Sequence, residues 1–477
     1  MSTQDILLKA KNDGIKVSGI SFDTRTIKKN HIFFAIPGSS DDGLKYVDLA
    51  INKGASAIVI PYASKKKFLK KEVPVYKVRN IRSILSDTSF KFYKNNIKNK
   101  IAITGTNGKT SVSFFINYLL SSFRKESATI GTLGSSTGTK LARNLTTPDP
   151  ISLAKEMQLM DSKKIDYVII EASSHGLHQK RFFPLKFDLC VLTNISHDHL
   201  DYHKSINHYI SSKLDLFKLH LKKNGMSLVN SDTDYFRKIK DSLEKNKINC
   251  RILANDDKKY GIKKINIKEN LTNVEIFINS KLYRFNFKDL PIFQIKNFLL
   301  AVTGLSLIGF NEKKMTKFSL NCPHVPGRME LAGKKNNGAR IYIDFAHTPD
   351  ALKNVLSEAR LICKGQLVVL FGCGGNRDKK KRPLMGKIAE QYSDLALVTD
   401  DNPRDEDADK IRREIIRSSN RLIDLKNRKN AIKKSINLLK NKDMLIIAGK
   451  GHEKYQIIKG RRFPFDDVKI AKSFLRK

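Results

Sequence analysis

A short glycine-rich segment, Gly105-Thr-Asn-Gly-Lys-Thr110, carries the residue types that bind a phosphate group. Its glycines let the backbone approach an anion, and amide N–H groups and a following helix N-terminus would face it. Lys109 adds positive charge, and the Thr110 hydroxyl can hold Mg²⁺. The common P-loop pattern needs a glycine six residues before the lysine, where this chain has Ile103. The segment is a shorter variant, and on this string alone a plain glycine-rich surface turn remains an alternative.

Seven apolar runs each predict a buried strand, and each ends in polar residues. The polar residues begin at Gly105, Glu171, Thr193, Asp344, Gly372, Thr399 and Ala448. In open parallel sheets, ligands bind beyond the carboxyl ends of the strands. Three such edges in the middle of the chain and four in its last third predict two α/β domains that face each other across a cleft.

A magnesium ion beside a bound triphosphate would need hard ligands. Thr110 and Glu171 offer a hydroxyl and a carboxylate, and His199 could add an imidazole. Glu171 directly follows a predicted buried strand, where an unpaired carboxylate is unfavourable, so a metal or a basic partner is expected. The alternative is a glutamate that caps a helix and a solvent-exposed histidine.

Apolar periodicity and turn residues indicate α/β structure throughout the chain. The middle part carries the phosphate segment, a helix over 151–163 and a β-hairpin that turns at Asn279-Ser280, which we expect at the edge of a smaller antiparallel sheet. The last part alternates strands with helices, one of which starts at Thr348-Pro349, and this pattern predicts a parallel, doubly wound sheet. The predicted domain boundaries give three segments, 1–90, 91–325 and 326–477.

The composition is that of a globular protein, with 40% apolar and 29% charged residues in a chain of 477 residues. No apolar run approaches the roughly 20 residues that a membrane span needs, and the N-terminus lacks the pattern of a secretory signal. The five cysteines have no Cys-x-x-Cys spacing, which argues against a disulfide scaffold or a zinc site. We therefore expect a cytoplasmic protein without a membrane span.

The formal net charge of +42 is extreme. Such a charge can attract nucleic acid or acidic surfaces. The lysines, however, are spread along the whole chain, and Lys, Asn and Ile are abundant together, which indicates a compositional bias of the source genome. General attraction of anionic ligands and nucleic-acid binding remain alternatives, and we expect no dedicated nucleic-acid partner.

Six motifs occur in the order found in the Mur ligases, and this resemblance covers nearly the whole chain. The motifs are Gly105–Thr110, Glu171-Ala-Ser-Ser-His175, Asp198-His-Leu-Asp-Tyr-His203, Val325-Pro-Gly-Arg-Met-Glu330, Asp344-Phe-Ala-His-Thr-Pro-Asp350 and Gly449-Lys-Gly-His-Glu453. A single motif is weakly specific, whereas the set is highly specific. The chain most resembles the family members that add the third residue of the peptidoglycan peptide.

The resemblance implies an α/β fold with three domains. These are a small N-terminal α/β domain for the uridine nucleotide, a central P-loop-type ATPase α/β domain and a C-terminal Rossmann-like α/β domain that brings the amino acid. The implied reaction is amide formation driven by ATP, which phosphorylates a carboxylate of the substrate before an amine attacks the acyl phosphate. Such chemistry needs charge neutralisation and in-line positioning, which Lys109 and Mg²⁺ would supply.

The resemblance also assigns an ATP site and a metal site. The implied ATP contacts are Gly105, Thr106, Asn107, Gly108, Lys109, Thr110 and Ser111, with Asn297 at the adenine, Arg328 at the γ-phosphate and Asp344 at the ribose. The implied catalytic residues are Lys109, Glu171, His199 and Lys213, and the implied ligands of two Mg²⁺ ions are Thr110, Glu171, His199 and Lys213. Lys213 matches the lysine that the family carbamylates with CO₂ to N6-carboxylysine, an anion able to bind the second Mg²⁺. Gln294 departs from the asparagine that the family usually has.

Other residues match the family's contacts to its remaining substrates. Those implied for the UDP-linked muramoyl dipeptide (UDP-MurNAc-dipeptide) are Phe22, Thr24, Ser39, Ser40, Asp41, Thr146, Thr147, Ser173, Gln179 and Arg181. Those implied for meso-2,6-diaminopimelate are Arg377, Asp401, Asn402, Pro403, Arg404, Gly449 and Glu453. Arg404 would pair with the distal carboxylate of diaminopimelate in a bidentate manner, and Glu453 could bind its distal ammonium. Taken alone, Asn402-Pro-Arg404 also fits a simple turn.

Two alternatives make different predictions. Another Mur-type or folylpolyglutamate-type ligase is the nearer one, and the residues after Asp23 and the Asp401–Arg404 motif argue against it. A basic P-loop ATPase that binds nucleic acid is the more distant one, and it predicts ATP hydrolysis stimulated by nucleic acid. The ligase predicts hydrolysis that waits for both the UDP-linked dipeptide and an amino acid, in a protein expected to be a monomer.

Overall fold

A computed structural model describes residues 5–38, 42–64, 73–135, 145–196, 198–268 and 271–475. The candidate residues Ser39, Ser40 and Asp41 lie outside these ranges. The chain folds as two compact units. The first comprises Met1–Ile265, Val274–Arg284 and Asn297–Phe318, and the second comprises Asn266–Asn273, Phe285–Lys296 and Ser319–Lys477.

The N-terminal part of the first unit is a small α/β layer. Its elements are α1 (Ile6–Asn12), β1 (Gly19–Ser21), β2 (His31–Phe34), a 3₁₀ turn (Gly43–Tyr46), α2 (Val47–Asn52), β3 (Ala55–Pro61), β4 (Val75–Val78) and α3 (Ile81–Phe92). The four strands are parallel and pair in chain order. Apolar residues on both sheet faces pack against the helices, α1 and α3 on one face and α2 on the other. This is the small α/β unit that the sequence predicts.

The middle of the chain forms a second, larger sheet. Its elements are β5 (Asn99–Thr104), α4 (Lys109–Ser122), β6 (Ser127–Gly131), β7 (Gly134–Ser135), α5 (Pro150–Ser162), β8 (Tyr167–Glu171), α6 (Ser174–His178), β9 (Phe187–Leu192), α7 (Leu200–His203), α8 (Ile206–His220), β10 (Leu221–Asn230), α9 (Phe236–Lys245), β11 (Arg251–Asn255), β12 (Tyr260–Ile267), β13 (Leu271–Ile278), β14 (Lys281–Lys288), α10 (Ile292–Leu307) and α11 (Glu312–Phe318). The strand order is β14-β13-β12-β11-β10-β9-β5-β8-β6-β7. β5 therefore lies between β9 and β8, and it is parallel to both.

The hairpin of β13 and β14 turns where the sequence predicts. Asn279 and Ser280 both have positive φ, 49° and 62°, as a two-residue hairpin turn of type I′ requires. The expectation of a separate small antiparallel sheet is wrong, because β11 pairs in parallel with β10 and β12 pairs in parallel with β11. These pairings make the hairpin the outer edge of the ten-stranded sheet.

The C-terminal part of the chain is a doubly wound α/β structure. Its elements are β15 (Glu330–Lys334), β16 (Arg340–Asp344), α12 (Pro349–Ile362), β17 (Leu367–Phe371), α13 (Lys381–Tyr392), β18 (Leu395–Val398), α14 (Ala408–Ile416), β19 (Ile423–Asp424), α15 (Arg428–Leu438), β20 (Met444–Ala448), β21 (Tyr455–Ile458), β22 (Arg461–Pro464) and α16 (Asp467–Leu475). The strand order is β15-β16-β20-β17-β18-β19, and all pairs except β15–β16 are parallel. α12 begins as predicted, with the Thr348 hydroxyl accepting the Ala351 N–H. Buried clusters cover both faces of this sheet.

The predicted strand ends are confirmed in both large sheets. Glu171 is the last residue of β8, and Gly105 and Thr193 directly follow β5 and β9. β5 is the parallel neighbour of both other strands. In the second unit, Asp344 is the last residue of β16, and Gly449 directly follows β20, with which β16 pairs. Among the described residues, no helix has both the length and the apolar character needed to cross a membrane.

Candidate active site

The phosphate segment connects β5 to α4 by a tight turn. Gly105 and Gly108 have φ of 148° and 82°, a region that favours glycine. A Cβ at Gly105 would lie 1.9 Å from Thr193 Oγ1, and a Cβ at Gly108 would lie 2.7 Å from Asn297 Oδ1. The close approach of these side chains therefore requires glycine at both positions. It also places Asn297, the predicted adenine contact, against the N-terminus of α4.

The residues after β9 hold the turn in shape. Asn107 N–H donates to Asn194 Oδ1 (3.0 Å), and Thr106 N–H donates to the Asn194 carbonyl (2.8 Å). Thr106 Oγ1 accepts the Ser196 N–H (3.0 Å) and lies 2.9 Å from the Tyr209 hydroxyl. The predicted ATP-binding residues thus form one ordered loop, in which Lys109 Nζ folds back onto the carbonyls of Gly105 and Thr106 at 2.8 and 2.7 Å. Thr110 and Ser111 lie in the first turn of α4 and are buried.

Glu171 is buried and fully engaged at the end of β8. Its Oε2 accepts hydrogen bonds from the hydroxyls of Thr110 (2.9 Å) and Thr132 (3.1 Å), and its Oε1 accepts the Thr132 N–H (2.9 Å). A Cβ on Gly131 would lie 2.1 Å from Glu171 Oε1. The absence of a side chain at Gly131 therefore leaves space for the carboxylate. The predicted pair of Thr110 and Glu171 is therefore in direct contact.

Lys213 lies inside the protein on α8. Its side chain is 1% exposed, its Nζ donates to the Gly105 carbonyl (2.7 Å), and the same atom lies 4.5 Å from the centre of the Tyr209 ring. Burial lowers the pKa of Lys213 well below its ordinary value, and the nearby Lys109 ammonium lowers it further. The surroundings of this amine, next to the phosphate turn, therefore disfavour its charged form.

His199 is less enclosed than the other predicted metal ligands. It precedes α7 with a φ of 53°, and its side chain is 47% exposed, with Nε2 3.5 Å from Asp198 Oδ2. Its ring centre lies 4.9 Å from that of His175 and 6.3 Å from that of Tyr209. Lys213 and His199 are thus both neighbours of Tyr209. Among the described residues, no group of three or more His, Cys, Asp or Glu side chains is arranged to hold a metal by itself.

The residues predicted to contact the muramoyl dipeptide form one network with Glu171. The Thr147 hydroxyl donates to the Glu171 carbonyl (2.7 Å) and accepts the Ser173 N–H (3.0 Å). Arg181 Nη1 donates to the Thr147 carbonyl (2.5 Å). Thr146 Oγ1 lies 3.3 Å from the Thr132 hydroxyl.

Tyr202 extends this network on the side of Arg181. The two guanidinium atoms Nε and Nη2 of Arg181 donate to Gln179 Oε1 at 3.2 and 2.7 Å. Gln179 Nε2 in turn donates to the Tyr202 hydroxyl at 3.2 Å, and His178 Nδ1 lies 2.8 Å from the same oxygen. The Arg181 carbonyl also accepts the Ser86 hydroxyl of α3 (3.0 Å), which joins this region to the N-terminal layer.

The predicted uridine contacts follow β1. Phe22 is half-buried and packs against the N-terminal core. The carbonyl of Thr24 accepts a hydrogen bond from Lys53 Nζ (3.0 Å), and Arg25 forms a bidentate pair with Asp23. The carboxylate and guanidinium next to Thr24 therefore bind each other.

Two predicted ATP contacts belong to the second unit. Asp344 is buried, its Oδ2 accepts the Met329 N–H (2.8 Å) and its Oδ1 accepts the Ala346 N–H (2.7 Å). Burial raises the pKa of Asp344, while the Arg328 charge lowers it. The Arg328 guanidinium lies 4.9 Å from the centre of the Phe345 ring. The backbone carbonyl of Arg328 accepts a hydrogen bond from Gln294 Nε2 (3.0 Å). Gln294, the residue that departs from the family pattern, therefore supports the Arg328 loop.

The residues predicted for diaminopimelate meet where β18 and β20 end. Asn402 Nδ2 donates to Glu453 Oε2 (2.9 Å), and Asn402 Oδ1 accepts Lys450 Nζ (3.0 Å) and the Ile457 N–H (2.9 Å). Gly449 has a φ of 111°, and a Cβ there would lie 3.8 Å from Asp401 Oδ2. The predicted contacts Asp401, Asn402, Gly449 and Glu453 therefore form one cluster.

Arg404 and Arg377 approach the same glycine from different loops. A Cβ at Gly374 would lie 2.6 Å from Arg404 Nη1 and 3.8 Å from Arg377 Cγ. Arg404 Nη1 donates to the carbonyls of Gly375 (2.8 Å) and Asn402 (3.5 Å), whereas Arg377 is exposed. Pro403 is buried, and a Cβ at Gly375 would lie 1.9 Å from its carbonyl oxygen. The glycines after β17 thus create the space that Arg404 occupies.

The structure adds four residues that sequence reasoning missed: Thr132, Tyr202, Arg428 and Lys450. Thr132 follows an eighth strand end, that of β6, which pairs in parallel with β8. Tyr202 and Lys450 lie inside motifs already recognised, in each of which another residue was assigned a role. Arg428 forms an ion pair with Asp467 in which both side chains are 0% exposed, and no local pattern predicts it.

Comparisons with known proteins agree with this arrangement. Residues 103–305 match the Mur ligase middle domain, and residues 327–451 match the Mur ligase glutamate ligase domain. A protein of Rickettsia montanensis named UDP-N-acetylmuramoyl-L-alanyl-D-glutamate--2,6-diaminopimelate ligase is 38% identical over 97% of this chain and 96% of its own. A protein of the same name from Aquifex aeolicus is 37% identical over 96% of this chain and 94% of its own.

A solved structure gives the same result. A protein of that name superimposes with a TM-score of 0.66 at 28% identity, and the alignment covers 96% of this chain and 95% of the other. The similarity therefore extends over both compact units. On the strength of nearly full-length similarity in sequence and in fold, the chain belongs to the Mur ligase family.

Proposed function

We propose that this protein is an ATP-dependent, ADP-forming ligase that joins meso-2,6-diaminopimelate to UDP-N-acetylmuramoyl-L-alanyl-D-glutamate in peptidoglycan precursor synthesis. The observation that carries the proposal is 38% identity, over 97% of the chain, to a relative with that name. The geometry of both sites supports it. ATP, the dipeptide and the amino acid are the substrates, and the new bond is an amide.

The first unit supplies groups suited to phosphoryl transfer. The N–H groups in the first turn of α4 attract anionic phosphates, and the Lys109 ammonium adds positive charge beside them. In this reaction the D-glutamate carboxylate attacks the γ-phosphorus, and ADP leaves with the bridging electron pair. The amine of the third residue then displaces inorganic phosphate from the acyl phosphate. The protein's contribution is positioning and charge stabilisation.

The environment of Lys213 supports its carbamylation. A neutral amine can attack CO₂, lose a proton and become a carbamate anion, whereas an ammonium has no lone pair to react. Burial and the neighbouring Lys109 keep the Lys213 pKa low, which favours the reactive neutral form. The nearby Lys109 charge would also attract the carbamate product.

The donor set at this site fits Mg²⁺. The Thr110 hydroxyl, the Glu171 carboxylate and a Lys213 carbamate would present hard oxygen atoms, and His199 would add a nitrogen from a more exposed position. We infer two ions, which when bound would neutralise charge on the phosphate oxygens. Thr132 and Thr110 already hold the Glu171 carboxylate in one orientation.

The second unit supplies recognition of the amino acid. Arg404 is held by backbone carbonyls and lies beside Gly374, where its guanidinium could pair with the distal carboxylate of diaminopimelate. Asp401 and Glu453 provide acceptors for the distal ammonium. Lysine shares that ammonium and lacks the carboxylate, so the Arg404 loop favours diaminopimelate.

The remaining assignments follow from this reaction. We place Phe22 and Thr24 with the uridine nucleotide, and Thr146, Thr147, Ser173, Gln179 and Arg181 with the dipeptide. We keep the segments 1–90, 91–325 and 326–477 as nucleotide, ATP and amino-acid domains. The precursor is made in the cytoplasm, where we expect the protein to act as a monomer.

The test is product formation from defined substrates. The purified protein is incubated with the UDP-linked dipeptide, ATP and Mg²⁺, with either meso-diaminopimelate or L-lysine, and the UDP-linked tripeptide and ADP are quantified. We expect one ADP for each tripeptide and a strong preference for diaminopimelate. Absence of a diaminopimelate product would refute the substrate assignment, and ADP release uncoupled from product would refute the reaction.

A further inference from the structure

Lys450 is a buried cation at the centre of the predicted diaminopimelate site. Its side chain is 0% exposed, although it lies in the loop that follows β20. Its Nζ donates to Asn402 Oδ1 (3.0 Å) and to Glu453 Oε2 (3.3 Å), and it lies 3.8 Å from Asp401 Oδ1. A buried ammonium is stable only when carboxylates or other acceptors surround it, and here two carboxylates do.

The two carboxylates differ in how well they are satisfied. Glu453 Oε2 accepts hydrogen bonds from both Lys450 and Asn402 Nδ2. Asp401 Oδ1 is buried, and among the described residues no hydrogen-bond donor reaches it. A buried acceptor without a donor is unfavourable, so this oxygen is suited to a donor that arrives with the substrate.

A charge count gives this cluster a single uncompensated negative charge. Asp401 and Glu453 contribute two negative charges, and Lys450 removes one of them. The neighbouring Arg428 does not alter the count, because Asp467 pairs with it in full burial. Arg404 adds one positive charge next to the cluster, where Asn402 and Gly375 hold it by their carbonyl groups.

The remaining charges match the distal end of diaminopimelate, which is a zwitterion. The uncompensated carboxylate meets its ammonium, and Arg404 meets its carboxylate. The end of a lysine side chain carries the ammonium alone, and a site with two free carboxylates would suit it better. Electrostatic interactions of buried charges are strong and weakly screened, so one buried cation is enough to change this preference.

We propose that Lys450 is a positioning and specificity-determining residue: its buried ammonium offsets one of the two carboxylates and thereby makes the site select a zwitterionic amino-acid terminus over a bare ammonium. This inference rests on the proposed function and deepens it. Lys450 acts through Asp401, Asn402 and Glu453, and it does not contact the reacting atoms.

The experiment measures kcat/KM for meso-diaminopimelate and for L-lysine in the wild type and three variants. Lys450→Met removes the buried cation, and we expect the diaminopimelate-to-lysine ratio to fall about tenfold or more, which corresponds to about 1.4 kcal/mol. Glu453→Gln removes a carboxylate and keeps Lys450, so the ratio should rise. The double variant Lys450→Met/Glu453→Gln restores the single negative charge and should recover much of the ratio. Lys454→Met, at the exposed neighbouring position, is the matched control and should leave the ratio unchanged.

A merely structural role would give a different pattern. It would lower kcat/KM for both amino acids by the same factor and leave the ratio unchanged, or it would lower the ratio in a way that removing the Glu453 charge does not restore. Either result would overturn the inference. An unchanged ratio in Glu453→Gln would also overturn it, and this variant provides the test if Lys450→Met does not fold. A wild type that uses neither amino acid would refute the proposed function instead, so the two failures are distinguishable.

Discussion

Lys109 and Lys213 share one backbone acceptor, the carbonyl of Gly105. Lys109 Nζ lies 2.8 Å and Lys213 Nζ lies 2.7 Å from that oxygen. Two ammonium groups so close would repel each other, and burial penalises the charge on Lys213 more than that on the half-buried Lys109. We therefore propose separate roles for the pair, with Lys109 as the cation for phosphate and Lys213 as the amine for carbamylation.

The first prediction concerns Lys213→Ala. We expect ligase activity to fall about 100-fold or more, the size typical for loss of a group that stabilises transition-state charge. Removing the side chain leaves space for a small carboxylate, so formate or acetate should restore part of the activity. Lys218→Ala, on the same helix at a half-exposed position, is the control and should respond to neither. An active Lys213→Ala enzyme would contradict the carbamate role.

The second prediction concerns Thr132, which orients Glu171 through its N–H and its hydroxyl. Thr132→Val keeps the shape and the N–H bond but removes the hydroxyl. Because residues that orient a metal ligand change metal affinity or activity by about 10- to 100-fold, we expect a corresponding rise in the Mg²⁺ concentration needed for half-maximal activity. Thr132→Ser retains the hydroxyl and should behave like the wild type. Equal behaviour of Val and Ser would argue against this role.

Individual site residues could be predicted where their neighbours in sequence form a motif. Thr110, Glu171 and Asn402 were all found in this way, and their contacts connect the expected groups. Thr132 was not predicted because the strand before it, Ser127 to Gly131, is short and ends in a glycine, and no charged residue follows it directly. Lys450 escaped because a lysine between two glycines suggests an exposed loop, and only the structure reveals its complete burial.

At the level of elements, one buried ion pair joins the ends of β18 and β20 to the C-terminal helix. Arg428, the first residue of α15, donates to both carboxylate oxygens of Asp467 at 2.9 and 2.7 Å. Its other bonds go to the carbonyls of Ala448 (2.9 Å) and Asp400 (3.3 Å). These carbonyls immediately precede Gly449 and Asp401, so the guanidinium fixes the starting points of the two loops that we propose bind the amino acid.

The third prediction separates these two roles of Arg428. Arg428→Met leaves a buried unpaired carboxylate, and we expect unfolding free energy to fall by about 3–5 kcal/mol. The double variant Arg428→Met/Asp467→Leu removes both charges and should recover most of that stability in urea denaturation. It still lacks the bonds to Ala448 and Asp400, so its KM for diaminopimelate should stay raised while its KM for ATP is unchanged. Full recovery of both properties would limit the pair to a structural role.

The strands themselves were predictable because parallel buried strands are continuous apolar runs. Leu367–Phe371 and Leu395–Val398 end directly before Gly372 and Thr399, as predicted, and β20 ends one residue later than predicted, at Ala448. The extension of the central sheet by β11 and β12 was missed. Their mixed apolar and polar residues do not predict the parallel pairing of β11 with β10 and of β12 with β11, which adds both strands to the sheet.

For the whole molecule, the open question is the net charge of +42. Three fully buried basic side chains are paired with carboxylates: Arg428 with Asp467, Lys450 with Glu453, and Arg382 with Glu406 and Glu414. The rest of the positive charge is distributed over the chain rather than gathered in one segment. Such a distribution would raise the encounter rate with anionic substrates at low salt, and both ATP and the UDP-linked dipeptide are anions.

The last prediction tests whether this charge serves substrates or nucleic acid. A ligase of this kind needs the dipeptide carboxylate as phosphoryl acceptor and the amino acid to release phosphate, so ADP release should be slow with ATP alone and reach its full rate only with both substrates. Single-stranded RNA or DNA should leave that rate unchanged at physiological ionic strength. At low salt it should only inhibit, because nonspecific binding through phosphates weakens steeply as salt is added. Stimulation of ATP hydrolysis by nucleic acid without dipeptide or amino acid would mean that the phosphate turn at Gly105 to Thr110 serves a nucleic-acid-dependent ATPase and would reverse the assignment.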